Sequence, residues 1–259
     1  PMAFIGSKMT GHQYASSKID KVIFGVGAFE NHGYHMPFGT DALISNILCE
    51  KLAERVEGLM VLPPINYGYS QHYNKLPFTV SLSAETVTNV LKEILGEIVR
   101  NGIKKIIILN GHDGNIAPIE IAARAVKVQH PDVVIASLND WWVAAGKLVP
   151  PGTFEVWNGL GHAGEGETSL GLALFEDLIE MEHAKGVVPN LPEFIDIKWR
   201  FDELTDTGAS GDPGVATKEK GLKIEEAVLN LLENFIREMD KTGWTYGLKK
   251  NSPEKQAAL

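Results

Sequence analysis

The strongest constraint on the fold is an alternation. Short apolar runs, "VIFGV" at 22–26, a run at 59–62, "KIIIL" at 105–109 and a run at 133–138, take turns with amphipathic stretches at 41–55, 84–101 and 115–130. Runs that short and that rich in β-branched residues suit strands buried on both faces. Apolar residues at three- and four-residue spacing suit helices packed on a sheet. The order strand, helix, strand, helix predicts a mostly parallel sheet with helices on both sides, an α/β/α sandwich. Gly102 stands where the second helix should stop. Residues 185–213, with several prolines, read as an excursion, Lys218–Lys241 as a final helix, and 250–259 as a frayed tail. With 259 residues, 44% of them hydrophobic, the chain can bury one core as a single domain over 1–259.

Charge and composition narrow the partners. A net charge of −9 without a basic cluster argues against nucleic acid or an anionic membrane as partner. No apolar run approaches the roughly eighteen residues of a membrane span, and the opening "PMAFIGSKMTGHQY" lacks a signal peptide's apolar centre. The expectation is a soluble, cytoplasmic protein. The single cysteine, Cys49, excludes an intrachain disulfide and reads as a small buried apolar residue.

In open α/β sheets, ligands gather where strands end and loops lead into helices. Four polar segments fall there. "GAFENHGYHMPFGTDAL" (27–43) carries Glu30, His32, His35 and Asp41. Glu30 and His32 are two apart and point to one side of an extended segment, which suits one shared metal or two neighbouring ones. Asp41, alone at a helix start, would be a capping or dipole residue; four potential ligands within one loop favour a metal. "NGHDGN" (110–115) places His112 between glycines at a strand end, where an imidazole has no packing value. Gly114 and Asn115 open the next helix, whose backbone N–H groups could hold a developing oxyanion; Asp113 is an acceptor for a ligand histidine or a cap. "NDWW" (139–142) offers Trp141 and Trp142, for which core packing is the simpler role. "GHAGEGETS" (161–169) adds His162, Glu165 and Glu167 before a helix expected at 169–179. His12, His72, His130 and His183 read as surface or structural residues.

These motifs carry a resemblance. E-N-H-G-x-H with an aspartate six residues on, then N-G-H-x-x-N, then G-H-A-G-x-x-E-T-S resemble the creatininase family of metal-dependent amidohydrolases, and "GASGDPGVATKEKG" (208–221) is similar to that family's lead into its last helix. The resemblance runs from about residue 25 to 221. It implies a creatininase-like fold with two divalent metal ions, zinc, manganese or iron. Glu30 and His112 would serve one ion, His32 and Glu167 the other, and Asp41 would bridge them. His162 falls on a histidine that shuttles protons in the family, His35 is a substrate-side or supporting residue, and Trp141 or Trp142 resembles an aromatic residue that covers the substrate; Gly114 and Glu165 complete the expected substrate-binding set. Creatinine-hydrolysing members carry carboxylates where this chain has Gly114 and Gly159, so another substrate is expected.

The expected reaction is hydrolysis of a C–N bond in a small cyclic amide or formamide by a metal-activated water. Alternatives are deformylation of a formylamino-pyrimidine nucleotide, creatinine hydrolysis, cleavage of a peptide during cofactor maturation, and a non-catalytic metal- or ligand-binding module. Ligands that are all histidine and carboxylate favour an open catalytic site over a closed structural one. The resemblance also implies a homohexamer, and Phe194, Ile195, Ile197, Trp199 and Phe201 in the excursion offer apolar surface for contacts between copies.

Overall fold

A computed structural model describes residues 3–248; the expected tail at 250–259 lies outside the described residues. Five parallel strands form one sheet: β1 (Phe4–Ile5), β2 (Lys21–Val26), β3 (Leu59–Val61), β4 (Lys105–Asn110) and β5 (Val134–Leu138), in the order β1-β3-β2-β4-β5. The expected α/β class and parallel sheet hold. The two-residue β1 was not foreseen; it has too few residues to show a period and exists by pairing with β3.

Alternating side chains divide β2 and β4 between two cores. Ile23, Ile107 and Leu109 face α2 (Thr40–Ala53), α5 (Trp141–Leu148), α6 (Glu165–Phe175) and α7 (Lys218–Lys241). Val22, Phe24, Val26, Ile106 and Ile108 face α3 (Ala84–Arg100) and α4 (Ile116–Gln129). Burial on both faces explains why these strands read as unbroken apolar runs. β5, at the sheet edge, is only partly buried, contrary to the expectation for 133–138.

Topology places the site. From β2 the chain crosses through α2 to β3 on one side; from β4 it crosses through α4 to β5 on the other. Right-handed crossovers in opposite directions put α2 and α4 on opposite faces, so the loops after β2 and β4 diverge and leave a crevice between their carboxyl ends. Val26 and Asn110 are register partners there. Gly111 lets the start of α2 descend onto β4, since a Cβ on it would stand 2.3 Å from the Asp41 carbonyl oxygen.

The helix expected at 169–179 begins earlier, at Glu165. Glu165 and Glu167 therefore lie in its first turn, and the glycines of the preceding loop are needed for tight approach there. Cys49 is fully buried in α2, with its thiol pushed up by burial. Among the described residues no helix is long and apolar enough to cross a membrane.

Candidate metal centre and cavity

Three separate loops converge on the crevice. The loop after β2 brings Glu30 and His32, the first turn of α2 brings Asp41, the residue pair after β4 brings His112, and the first turn of α6 brings Glu167. All are buried, Glu30 and His32 completely. Glu30, Asp41 and His112 each offer an atom within 4.8 Å of the other two, and so do His32, Asp41 and Glu167. Asp41 belongs to both groups, with Oδ1 2.9 Å from His32 Nε2 and Oδ2 3.4 Å from His112 Nδ1.

Hydrogen bonds on the far side of each ring set its tautomer. His32 Nδ1 lies 3.1 Å from the Glu30 carbonyl oxygen, and His112 Nε2 lies 2.8 Å from the Tyr69 carbonyl oxygen. Carbonyls only accept, so those nitrogens carry the protons. The inward nitrogens of neutral rings then present lone pairs to carboxylates: His32 Nε2 to Asp41 Oδ1 at 2.9 Å, and His112 Nδ1 to Glu30 Oε1 at 3.0 Å. Lone pair facing lone pair at that distance is repulsive unless a proton or a cation lies between. Both Glu30 carboxylate oxygens and Asp41 Oδ2 are buried without an aligned hydrogen bond.

The electrostatics describe the same strain when no cation is present. Burial penalises the charged Asp41 carboxyl and, with Glu30 and Glu167 near, raises it to about 7 despite His32. Burial would also raise Glu30, but His112, His162 and His32 outweigh it and hold that carboxyl well below the usual range. His112 rises to about 9 because Glu30 and Asp41 overcome its burial; His32 rises likewise beside Asp41 and Glu167. The cluster thus holds protons where a cation would serve better. Buried carboxylates and imidazoles with orphaned lone pairs suit a divalent ion, and the residues fit one.

A cavity of about 320 Å³ opens above this floor, bounded by Asp41, His112, Asp113 and Glu167 and walled by Tyr73, Trp142, Trp157, Leu160, His162 and Phe201. A larger cleft of about 600 Å³ at the amino ends of the strands, lined by Tyr14, Val22, Met60, Ile94 and Ile103, contains no histidine. The titratable cluster lies at the smaller one. His162 lies on its wall, with Nε2 2.6 Å from the Asn31 carbonyl oxygen and Nδ1 3.7 Å from Glu30 Oε1. Burial and neighbouring His32 lower this imidazole to about 4.

The supporting residues differ more from expectation. His35 is buried outside the cavity wall with Nε2 2.9 Å from Thr168 Oγ1, so it braces the loop against α6. Trp142 lines the cavity, whereas Trp141 is packed into the core. Gly114 does not line the cavity: a Cβ there would meet the Tyr69 carbonyl oxygen at 2.1 Å and His112 Nε2 at 2.5 Å, so its backbone packs against the His112 ring. Glu165 is fully buried, and its oxygens accept from Glu155 N, Val156 N and Lys220 Nζ, which leaves no substrate-facing role.

Three neighbours were missed. His72, read as a surface or structural residue, lies ring over ring with His112 at 5.9 Å; burial and His112 lower it. Tyr73 is buried 4.5 Å from the His162 ring. Phe201, grouped with the exposed residues of the excursion, is instead buried and stacked on Tyr73 at 4.5 Å. The signal for the first two was their place after β3, another strand end. Nothing local marks Phe201, which arrives from a distant segment.

Known proteins share the sequence pattern and the fold of this chain. A family model described as creatininase, creatinine amidohydrolase, matches residues 7–236. The chain belongs to the creatininase family. It is a hydrolase of that family, with the expected creatininase-like fold. It is 31% identical over 229 residues to the creatinine amidohydrolase of Pseudomonas putida, covering 82% of this chain and 87% of that one. It is also 31% identical over 245 residues to the 3-dehydro-scyllo-inosose hydrolase of Thermotoga maritima, covering 85% and 78%. A manganese creatininase superposes with a TM-score of 0.79 at 28% identity, covering 91% of this chain and 98% of the other. A substituted creatininase of Zn–Zn type gives 0.76, also at 28% identity, covering 92% and 98%.

Proposed function

We propose that this creatininase-family hydrolase opens a small cyclic amide or cleaves a formamide, using two divalent ions at the crevice. The observation that carries the reading is the pair of residue groups sharing Asp41, with imidazole nitrogens facing buried carboxylates of which both Glu30 oxygens and Asp41 Oδ2 lack an aligned hydrogen bond. Glu30, Asp41 and His112 would hold one ion, and His32, Asp41 and Glu167 the other. Zinc, manganese or iron suits these donors. Such ions supply a water acidic enough to attack at neutral pH and polarise a carbonyl oxygen.

The chain's own residues do the rest. The Asn31 carbonyl fixes the His162 tautomer and leaves Nδ1 turned toward Glu30. With Nε2–H held by the Asn31 carbonyl, the lone pair on Nδ1 lets His162 serve first as base. It takes a proton from the attacking water and returns it to the leaving nitrogen as the C–N bond breaks. Tyr73, Trp142, Trp157 and Phe201 give the cavity flat apolar walls that suit a ring or planar amide and exclude bulk water.

Substrate class follows from charge and size. Among the described residues lining the cavity there is no lysine or arginine, so no fixed cation there would meet a nucleotide's phosphate. This disfavours the deformylase reading, although two archaeal relatives bear that name. A volume of about 320 Å³ fits a small molecule better than a peptide tail. Gly114 has no room for a side chain, which removes a carboxylate from the position where creatinine-hydrolysing relatives are expected to carry one. Weak or absent creatinine hydrolysis is therefore expected.

The exposed apolar residues of the excursion support a closed homo-oligomer, with six copies as the family-based expectation. Phe194, Ile195, Ile197 and Trp199 all stand exposed. Metal-loaded protein should be assayed on creatinine, hydantoin, dihydrouracil, formanilide and an inosose. Turnover of a cyclic amide or formamide ahead of creatinine is the expected result. Efficient creatinine hydrolysis, or turnover of the inosose alone, would reject the substrate assignment.

A further inference from the structure

One wall of the cavity is backbone held in an unfavourable shape. Trp157, Asn158 and Gly159 take φ values of 46°, 53° and 75° in succession, followed by Gly161 at 115°. Left-handed conformations in tryptophan and asparagine are sparsely populated and persist only when surrounding contacts impose them. Gly159 has no alternative residue here, because a Cβ would lie 2.6 Å from the Phe154 ring. This segment contributes Trp157, Gly159, Leu160 and Gly161 to the cavity. Its outer side is tied to α5, where Asn158 Nδ2 donates to the Gly146 carbonyl oxygen at 3.2 Å.

The residues that lead into the strained run are fixed by a different contact. Glu165, at the start of α6, accepts from Glu155 N at 2.9 Å through Oε1 and from Val156 N at 2.9 Å through Oε2. Lys220 Nζ donates to Glu165 Oε1, Glu155 Oε1 and the Val215 carbonyl oxygen, each at 2.7 Å. Thr217 caps α7 by accepting from Lys220 N, which sets where that lysine begins. Glu165 is fully buried and the Lys220 side chain is 11% exposed, so the Glu165 end of the contact lies out of solvent, while Glu155, the lysine's other carboxylate partner, is largely exposed. A buried carboxylate spent on two loop N–H groups and one lysine touches neither the floor of the cavity nor its contents.

We infer that Glu165 and Lys220 form a latch that sets the Trp157–Gly161 wall from α6 and α7, making both positioning residues for the occupant of the cavity. The inference rests on the cavity's being the substrate site. Its structural half is tested without substrate. Hydrogen exchange should be followed in metal-loaded wild type, Glu165→Gln, Glu165→Gln with Lys220→Met, and Lys220→Arg. The double variant removes both charges, so no buried ion is left unpaired. In it and in Glu165→Gln, amides of 155–161 should exchange about tenfold faster or more, with α3 and β4 unchanged. Lys220→Arg, which keeps the charge and a donor, should restore the wild-type pattern. With the best amide of the assay panel, KM should rise about tenfold while kcat changes less and metal content stays constant. Unchanged exchange at 155–161, or faster exchange everywhere, would overturn the latch. A lowered kcat at constant KM would overturn its role in positioning. If wild type turns over no panel amide, the substrate reading fails, and the exchange pattern still decides the latch.

Discussion

The floor of the crevice and the 185–213 excursion invert the usual distribution of residues in opposite ways. At the floor, Glu30, Asp41, Glu167, His32 and His112 are charged or chargeable and buried. In the excursion, Phe194, Ile195, Ile197 and Trp199 are apolar and exposed. Each inversion is unfavourable as it stands. A buried carboxylate requires a compensating charge, and an exposed aromatic cluster leaves apolar area in water. A small cation would meet the first deficit and a large apolar partner the second, which is the arrangement proposed above. Phe201 joins the two regions: it belongs to the excursion by sequence but stacks on Tyr73 and roofs the cavity.

The hardest break in this contrast is Asp41→Ala. It strips both proposed ions of their shared ligand, so elemental analysis should find the metal gone and hydrolysis should fall below detection. Retention of two ions per chain would break the shared-ligand arrangement. Next is His162→Gln, which should keep the metals and lower turnover by about 10²–10⁴-fold. Loss of metal along with activity would make His162 a ligand, a role its closeness to Glu30 and His32 leaves geometrically open.

Removing the ions from the intact protein should have a smaller effect, on stability. Binding to the folded state alone at a hundred times Kd contributes about 2.7 kcal/mol, so chelation should lower the midpoint of denaturant unfolding and added zinc or manganese should restore it. A midpoint indifferent to metal would mean that the buried carboxylates satisfy one another through protons. The mildest change is expected from Phe194→Ser with Trp199→Ser. Light scattering should show the assembly reduced toward single chains, with metal content unaltered, because these side chains lie away from the floor. An assembly of unchanged mass would remove the excursion as its interface.

Much of the fold was legible because burial on both faces writes itself into consecutive residues. β2 and β4 stand within a residue of the apolar runs, and Lys218–Lys241 is helical over its expected span. The five candidate ligands were marked in two ways, by polar residues at strand ends of a parallel sheet, which have few structural uses, and by the family resemblance of their motifs; the structure brings their side chains together. Supporting roles were less legible. Glu165 reads like Glu167 in sequence, yet one turns to the loop and Lys220 while the other turns to His32. Which way a side chain turns in the first turn of a helix depends on what packs beside it.

By itself the sequence determined most of the strands and long helices, that the sheet is mostly parallel, and which loops carry side chains able to bind a metal. Those properties follow from local period and from the chain order of elements. Only the tertiary structure decided that Trp142 rather than Trp141 lines the cavity, that Gly114 leaves no space for a side chain, and that Tyr73 and Phe201 close the cavity together. These are contacts between residues far apart in the chain. Their geometry depends on how α2, α6 and the excursion settle against the strand ends, where a shift of an ångström separates a ligand from a brace.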